Sequence, residues 1–122
     1  MCLAKGADQL FAAVLLELEI PYVVVLPCRR YEKTFSGADL TKFHHFLRRA
    51  SRTQEQPFDE PSERAFYEAG KAVVEQSDLV IAVWDGKPAR GLGGTADIVK
   101  YVEQQHKPLV HINPLTLAVQ LR

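Results

Sequence analysis

Cysteine is scarce in this chain, and the sequence contains neither a long apolar run nor an excess of charge of one sign. Two cysteines, Cys2 and Cys28, occur among 122 residues. Their spacing matches no metal site, so we expect free thiols and no bound metal. No apolar run approaches the roughly 18 residues of a membrane-spanning helix, and the first residues do not resemble a signal peptide. These absences predict a cytoplasmic protein with no membrane partner.

The charges of the chain cancel. Fifteen Lys and Arg residues balance fifteen Asp and Glu residues, so the sequence has no basic footprint for a nucleic-acid partner. Hydrophobic residues make up 47% of the chain and charged residues 25%, which is ordinary for a globular protein. At this length we expect one domain spanning residues 1–122.

Apolar periodicity alternates along the chain between the helical and the extended pattern. Helices are predicted over 6–20, 38–50, 61–76 and 96–106, and strands over 22–26, 79–84 and 109–112. Helices that connect strands in this order require parallel pairing and right-handed crossovers. The sequence therefore predicts a Rossmann-like three-layer α/β domain with a parallel sheet. The polar stretch 51–60 is predicted to be a loop, and 115–121 to pack on the domain or form an oligomer contact.

The most informative segment is a buried strand followed by a glycine-rich loop and a helix start. Residues 77–86 read SDLVIAVWDG, and residues 91–97 read GLGGTAD. A parallel strand delivers such a loop to the carboxyl edge of the sheet, where the first N–H groups of the next helix can hold an anion. The segment predicts a binding site for a phosphate-bearing nucleotide. Its candidate residues are Asp85, Gly86, Arg90, Gly91, Gly93, Gly94 and Thr95.

Each of these residue types has a chemical reason to be there. Asp85 can accept hydrogen bonds from ribose hydroxyls, or it can cap the turn at Gly86. Thr95 can serve as an N-cap or donate its hydroxyl to a phosphate. Gly91, Gly93 and Gly94 let the backbone approach a ligand, and Arg90 adds a cation. The loop lacks the Lys-Ser/Thr ending of a Walker motif, which disfavours ATP hydrolysis. We expect no cofactor.

A second candidate region is the polar and aromatic loop 28–37, which follows the first predicted strand. Arg29 can neutralise a phosphate, and Tyr31 can stack on a base or a ribose. The alternative is a solvated basic loop with one aromatic ring in the core.

The glycine segment resembles that of the SLOG superfamily, together with LAKGADQL at 3–10 and VLP at 25–27. This group of Rossmann-like domains includes cytokinin-activating phosphoribohydrolases, DprA-type DNA-processing proteins and nucleotide sensors, and nucleoside 2-deoxyribosyltransferases are more distant relatives. The resemblance covers the chain to about residue 113 and implies a ligand derived from a nucleotide.

Two departures from the family pattern affect what the resemblance implies. Hydrolase and transferase members carry a catalytic glutamate three residues after the threonine, where this chain has Ile98. Asp97 lies one residue earlier, and a helix turns by about 100° per residue, so its carboxylate points elsewhere. Family members also open with a short central strand before the equivalent of residues 3–6. Either the sequence is truncated, its start is assigned late, or another chain fills the gap.

Without that strand, two sheet edges would be exposed, and we expect a homo-oligomer or a rearrangement. Three functions are open at this point. The chain can be a sensor or binding module for a nucleotide derivative. It can be an N-glycosidic-bond enzyme of the phosphoribohydrolase or deoxyribosyltransferase type, with Asp97 or Asp85 in place of the glutamate. It can also be an oligomeric interaction module.

Overall fold

Helices and strands alternate along the chain in a computed structural model that describes residues 1–88 and 91–122. The helices of these residues are α1 (Ala7–Glu17), α2 (Gly37–Arg49), α3 (Glu63–Glu75) and α4 (Thr95–Gln104). The strands are β1 (Val23–Leu26), β2 (Arg52–Glu55), β3 (Val80–Val83), β4 (Leu109–Ile112) and β5 (Val119–Leu121). A short 3-10 helix, Tyr31–Thr34, precedes α2. The mixed α/β class predicted from the sequence is confirmed.

The strands of the described residues form two small sheets. β1 and β2 pair in parallel, and β3 and β4 pair in parallel. β5 joins the second sheet through antiparallel pairing with β4. The parallel pairs are those that helical crossovers require. None of the helices in the described part of the chain has the length and hydropathy of a membrane span.

The second edge of β1 is contacted by the start of the chain. The Val25 amide donates to the Met1 carbonyl at 2.9 Å, and the Met1 amino group donates to the Val23 carbonyl at 3.4 Å. A cavity of about 320 Å³ adjoins this edge, with Phe11 of α1 and Val73 of α3 in its wall. In the described residues, β3 pairs with β4 alone. Among the described residues, no strand therefore covers the second edge of β1 or the second edge of β3.

The core has two parts, one on each sheet. The first lies around β1, α1 and α2 and is rich in aromatic residues, among them Tyr31, Phe35 and Phe43. The second lies between β3, β4, α3 and α4 and is aliphatic, with Val74 and Val102 at its centre. Burial of these side chains is what holds the helices on the strands, since each buried aliphatic chain contributes about 1.5–3 kcal/mol.

The polar stretch 51–60, predicted as a loop, contains the strand β2. Its residues, Arg52–Glu55, are mostly exposed, so the apolar alternation that signals a strand is missing from the sequence. The strand exists because its backbone pairs with β1, in a register that starts at Val23 and Arg52. Polar residues suit such an edge strand, because charge on an edge discourages pairing with other chains. The loop prediction for 51–60 is therefore wrong at 52–55.

Gly70 in α3 packs against the neighbouring helix α4. A Cβ placed on Gly70 would lie 2.5 Å from Cδ1 and 2.9 Å from Cγ1 of Ile98 in α4. The missing side chain lets the two helices approach closely, which offsets the cost of about 1 kcal/mol of a glycine inside a helix. The position of α4 on α3 depends on this contact.

The end of α3 is capped by a lysine from a distant part of the chain. The Lys107 ammonium donates to the carbonyls of Val74 at 2.8 Å, Glu75 at 3.1 Å and Ser77 at 2.8 Å. The last carbonyls of a helix have no intrahelical donor and carry partial negative charge, so a cation there satisfies both needs.

We expect Lys107→Met to lower the free energy of unfolding by about 1.5–3 kcal/mol, because three carbonyls lose a charged donor. Urea denaturation followed by circular dichroism measures this loss. Lys100→Met, an exposed lysine on α4, removes the same charge elsewhere and should change stability by less than about 0.5 kcal/mol. Equal losses in the two variants would show that the cap contributes nothing specific.

Candidate functional site

A cavity of about 360 Å³ lies where β3 ends and α4 begins. This is the carboxyl edge of the parallel β3–β4 pair, the position at which α/β sheets bind ligands. Its lining residues come from the segment after β3 and from the first turn of α4. They are Trp84, Asp85, Lys87, Pro88, Gly94, Thr95 and Ala96. The structure therefore brings together Asp85, Gly94 and Thr95 from the residues predicted from the sequence.

The N-terminus of α4 presents backbone donors without a side-chain cap. Gly94 is the N-cap residue, with φ −69° and ψ 168°, and no side chain of the described residues caps the first turn. Its carbonyl accepts from the amides of Asp97 and Ile98, at 3.1 and 3.3 Å. Helix geometry leaves the N–H groups of Thr95 and Ala96 without an intrahelical acceptor. Thr95 is the first helical residue, so its predicted role as N-cap is wrong.

The carboxylate of Asp85 holds the turn that follows β3. Its Oδ1 accepts from the backbone N–H of Lys87 at 2.9 Å. Gly86, between them, has φ +84°, and within residues 1–88 and 91–122 no heavy atom beyond its chain neighbours lies within 4 Å of where a Cβ would stand. Of the two roles predicted for Asp85, the structure therefore shows the capping of the turn at Gly86. One carboxylate oxygen makes this bond, so Asp85 can still offer Oδ2 to a molecule in the cavity.

Trp84 is a lining residue that was not predicted as part of the site. Its indole N–H donates to the Lys87 carbonyl at 2.9 Å, and its ring lies 5.1 Å from that of His111, at an interplanar angle of 37°. His111 Nε2 lies 2.8 Å from the Trp84 carbonyl. These contacts hold the indole beside the cavity. A large aromatic residue directly before Asp85, at the end of a strand, is the sequence signal that could have identified it.

One of the predicted ligand-binding glycines packs the loop onto α3. Gly93 has φ +91°, and a Cβ there would lie 2.9 Å from the backbone nitrogen of Tyr67 and 3.1 Å from the Glu63 carbonyl. A Cβ on Gly91 would meet the carboxylate end of the flexible Glu63 side chain, which can move aside. Neither glycine is among the residues that line the cavity. Gly93 therefore lets the loop approach the helix, whereas the role of Gly91 stays a prediction.

Asp97 is used by the same loop. Its Oδ2 accepts from the N–H of Gly93 at 3.1 Å, which ties the loop to the first turn of α4. The following residue, Ile98, faces Gly70 between the two helices. Asp97 is not among the residues that line the cavity, and Ile98 packs against α3. Of the two carboxylates proposed as catalytic, only Asp85 reaches the cavity.

The second candidate region does not join this site. Tyr31 is buried, with the rings of Phe35 and Phe43 at 5.1 and 5.5 Å, and burial raises the pKa of its phenol. It is a core residue, so the prediction that it stacks on a ligand is wrong. Arg29 pairs with Asp59 at 2.9 Å on the surface and does not line the cavity.

Arg90, the remaining predicted site residue, lies outside the residues that the structure describes. Among residues 1–88 and 91–122, no three His, Cys, Asp or Glu side chains are grouped so as to hold a metal ion. Neither a scan against protein-family models nor a search of curated proteins gives a match to the chain.

We expect Gly93→Ala to destabilise the protein more than Gly86→Ala. Both glycines have positive φ, which costs a non-glycine residue about 1–3 kcal/mol, but only at Gly93 does the added Cβ also meet backbone atoms of α3. Urea denaturation of the two variants measures the difference. Equal losses would mean that packing of the loop on α3 does not stabilise the fold.

Proposed function

We propose that the cavity at the end of β3 binds a small molecule derived from a nucleotide, and that the chain acts as a cytoplasmic sensor or binding module. One observation carries this proposal. The uncapped N-terminus of α4, a carboxylate and an aromatic side chain line the same cavity. These are the groups that recognise a phosphate, a sugar hydroxyl and a base.

The phosphate is best accommodated at the start of α4. The N–H groups of Thr95 and Ala96 and the Thr95 hydroxyl can donate to its oxygens, and the helix dipole favours negative charge there. Lys87 lines the same cavity and supplies a positive charge. An anionic ligand therefore fits this end of the cavity better than a neutral one.

The sugar and the base fit the residues that follow β3. Asp85 can accept from ribose hydroxyls through Oδ2, since its Oδ1 is held by the turn. The Trp84 indole offers a face for a base, and its N–H is already bonded. We propose in addition that the domain has the three-layer Rossmann-like organisation of the SLOG superfamily, a fold class in which ligands lie at the carboxyl edge of the strands.

Binding is favoured over bond cleavage because of where the carboxylates lie. Asp97 holds the glycine loop, and Ile98 fills the space between α3 and α4. Asp85 lines the cavity and is the reason to keep N-glycosidase or deoxyribosyltransferase activity as a second candidate. Release of free base from nucleoside monophosphates, lost in Asp85→Asn, would support that alternative. Binding without base release supports a sensor.

Gly94→Asp should abolish binding of nucleoside monophosphates without destabilising the protein. The φ of −69° at Gly94 suits any residue, and aspartate is a good N-cap, so stability should be unchanged or slightly higher. The new carboxylate would stand at the lining of the cavity and repel a phosphate. Isothermal titration calorimetry and the thermal midpoint measure the two effects.

Gly94→Asn is the matched control, because it adds a side chain of the same shape without charge. It should lose no more than about tenfold in affinity, whereas Gly94→Asp should lose at least about a hundredfold. Candidate ligands are found by a thermal-shift screen, since a ligand at about 100 times its Kd stabilises by roughly 2.7 kcal/mol. Unchanged affinity in Gly94→Asp would remove α4 from the site.

A further inference from the structure

One face of the β3–β4–β5 sheet is wholly aliphatic. Strand register pairs Ile81 with Val110, and Val83 with Ile112. The antiparallel register then pairs Val110 with Leu121 and Ile112 with Val119 of β5. Since directly paired residues lie on the same face of a sheet, six aliphatic side chains share it. They are Ile81, Val83, Val110, Ile112, Val119 and Leu121.

The two faces of this sheet differ sharply in burial. On the opposite face, Val80, Ala82 and Leu109 are at most 9% exposed and belong to the core with α3 and α4. On the aliphatic face, Ile81 is 48% exposed and Leu121 is 76% exposed. A sheet face of Val, Ile and Leu without a charge is the composition of a core surface, and exposing it to water is unfavourable.

The exposed aliphatic area of this face is substantial. Leu79 alternates onto the same face and is 48% exposed, and Val83 and Val119 are 39% and 64% exposed. Together the side chains of the face offer an area on the order of several hundred Å², which approaches the roughly 800 Å² that each partner buries in a standard protein–protein interface. Isolated apolar surface residues need no explanation, whereas a contiguous apolar patch marks an interaction site.

We propose that this aliphatic face is a homodimer interface, in which it packs on the same face of a second copy. A twofold axis brings identical surfaces together, and an all-aliphatic surface is complementary to itself because it has no charge to repel its copy. The chain as a whole carries a formal charge of +0, so long-range repulsion does not oppose association. Two sheets packed face to face form a sandwich about 10 Å thick, the ordinary solution for such surfaces.

The test compares adjacent residues on the two faces of β5. Leu121 lies on the aliphatic face, and Gln120 is paired with His111 on the other face. We expect the wild-type chain to dimerise in sedimentation equilibrium. Leu121→Glu should weaken the dimer by more than about tenfold in Kd, since it buries a charge in the interface. Gln120→Glu, which adds the same charge on the same strand, should leave dimerisation unchanged.

Folding of the variants is checked separately. Leu121 is largely exposed in the single chain, so Leu121→Glu should retain the wild-type circular dichroism spectrum. Val119→Lys, with the opposite charge at a position 64% exposed, provides a second disruption of the same face and should also weaken the dimer. Agreement between the two variants supports the interface.

Three results would overturn the proposal. A wild-type chain that stays monomeric at about 100 µM would mean that a different partner covers the face. A dimer unaffected by both Leu121→Glu and Val119→Lys would place the interface elsewhere. Equal weakening by Gln120→Glu would show that added charge, and not the aliphatic face, controls association. Nucleotide binding is measured on other residues, so its failure would leave this outcome unaffected.

Discussion

The close packing of α4 and its preceding loop on α3 is the constraint on which the candidate site depends. Gly70 lets Ile98 of α4 approach α3. Nearer the start of α3, Gly93 of the preceding loop packs on backbone atoms of Tyr67 and Glu63. These contacts hold the first turn of α4 beside the end of β3, and the bond from Gly93 to Asp97 ties the loop to that turn. The backbone donors of the site are therefore positioned by packing within the protein before any ligand is present, which lowers the entropy cost of binding.

The order of helices and strands could be predicted because it rests on local apolar periodicity. β2 could not, since Arg52–Glu55 is polar and takes its conformation from pairing with β1. Likewise, Tyr31 follows a strand in the way a ligand-binding residue would, but three neighbouring rings draw it into the core. In both cases the deciding contacts include residues from other elements, β1 for β2 and Phe43 and Phe66 for Tyr31, and one sequence does not display these contacts.

Part of the site was predictable because it follows from the order of the elements along the chain. A strand, a loop and a helix in succession place Asp85, Gly94 and Thr95 at one edge whatever the loop does between them. The role of Gly93 was not predictable, because glycine serves equally where a ligand approaches and where another helix approaches. Only the three-dimensional neighbours, Glu63 and Tyr67, show which applies here. For Trp84 the sequence shows an aromatic residue directly before Asp85, but its contact with His111 of β4, which holds the ring beside the cavity, appears only in the structure.

Strand β3 connects the proposed ligand site and the proposed dimer interface, because its successive side chains alternate between the two faces of the sheet. Val80 and Ala82 point into the core, Ile81 and Val83 lie on the aliphatic face, and Trp84 begins the site. A second copy packed on Val83 would restrict the strand end that carries the site residues. If binding of a ligand also orders that end, each event lowers the cost of the other, and the coupling is reciprocal because it is thermodynamic. A binding module built this way can report its ligand through its assembly state, without any catalytic step.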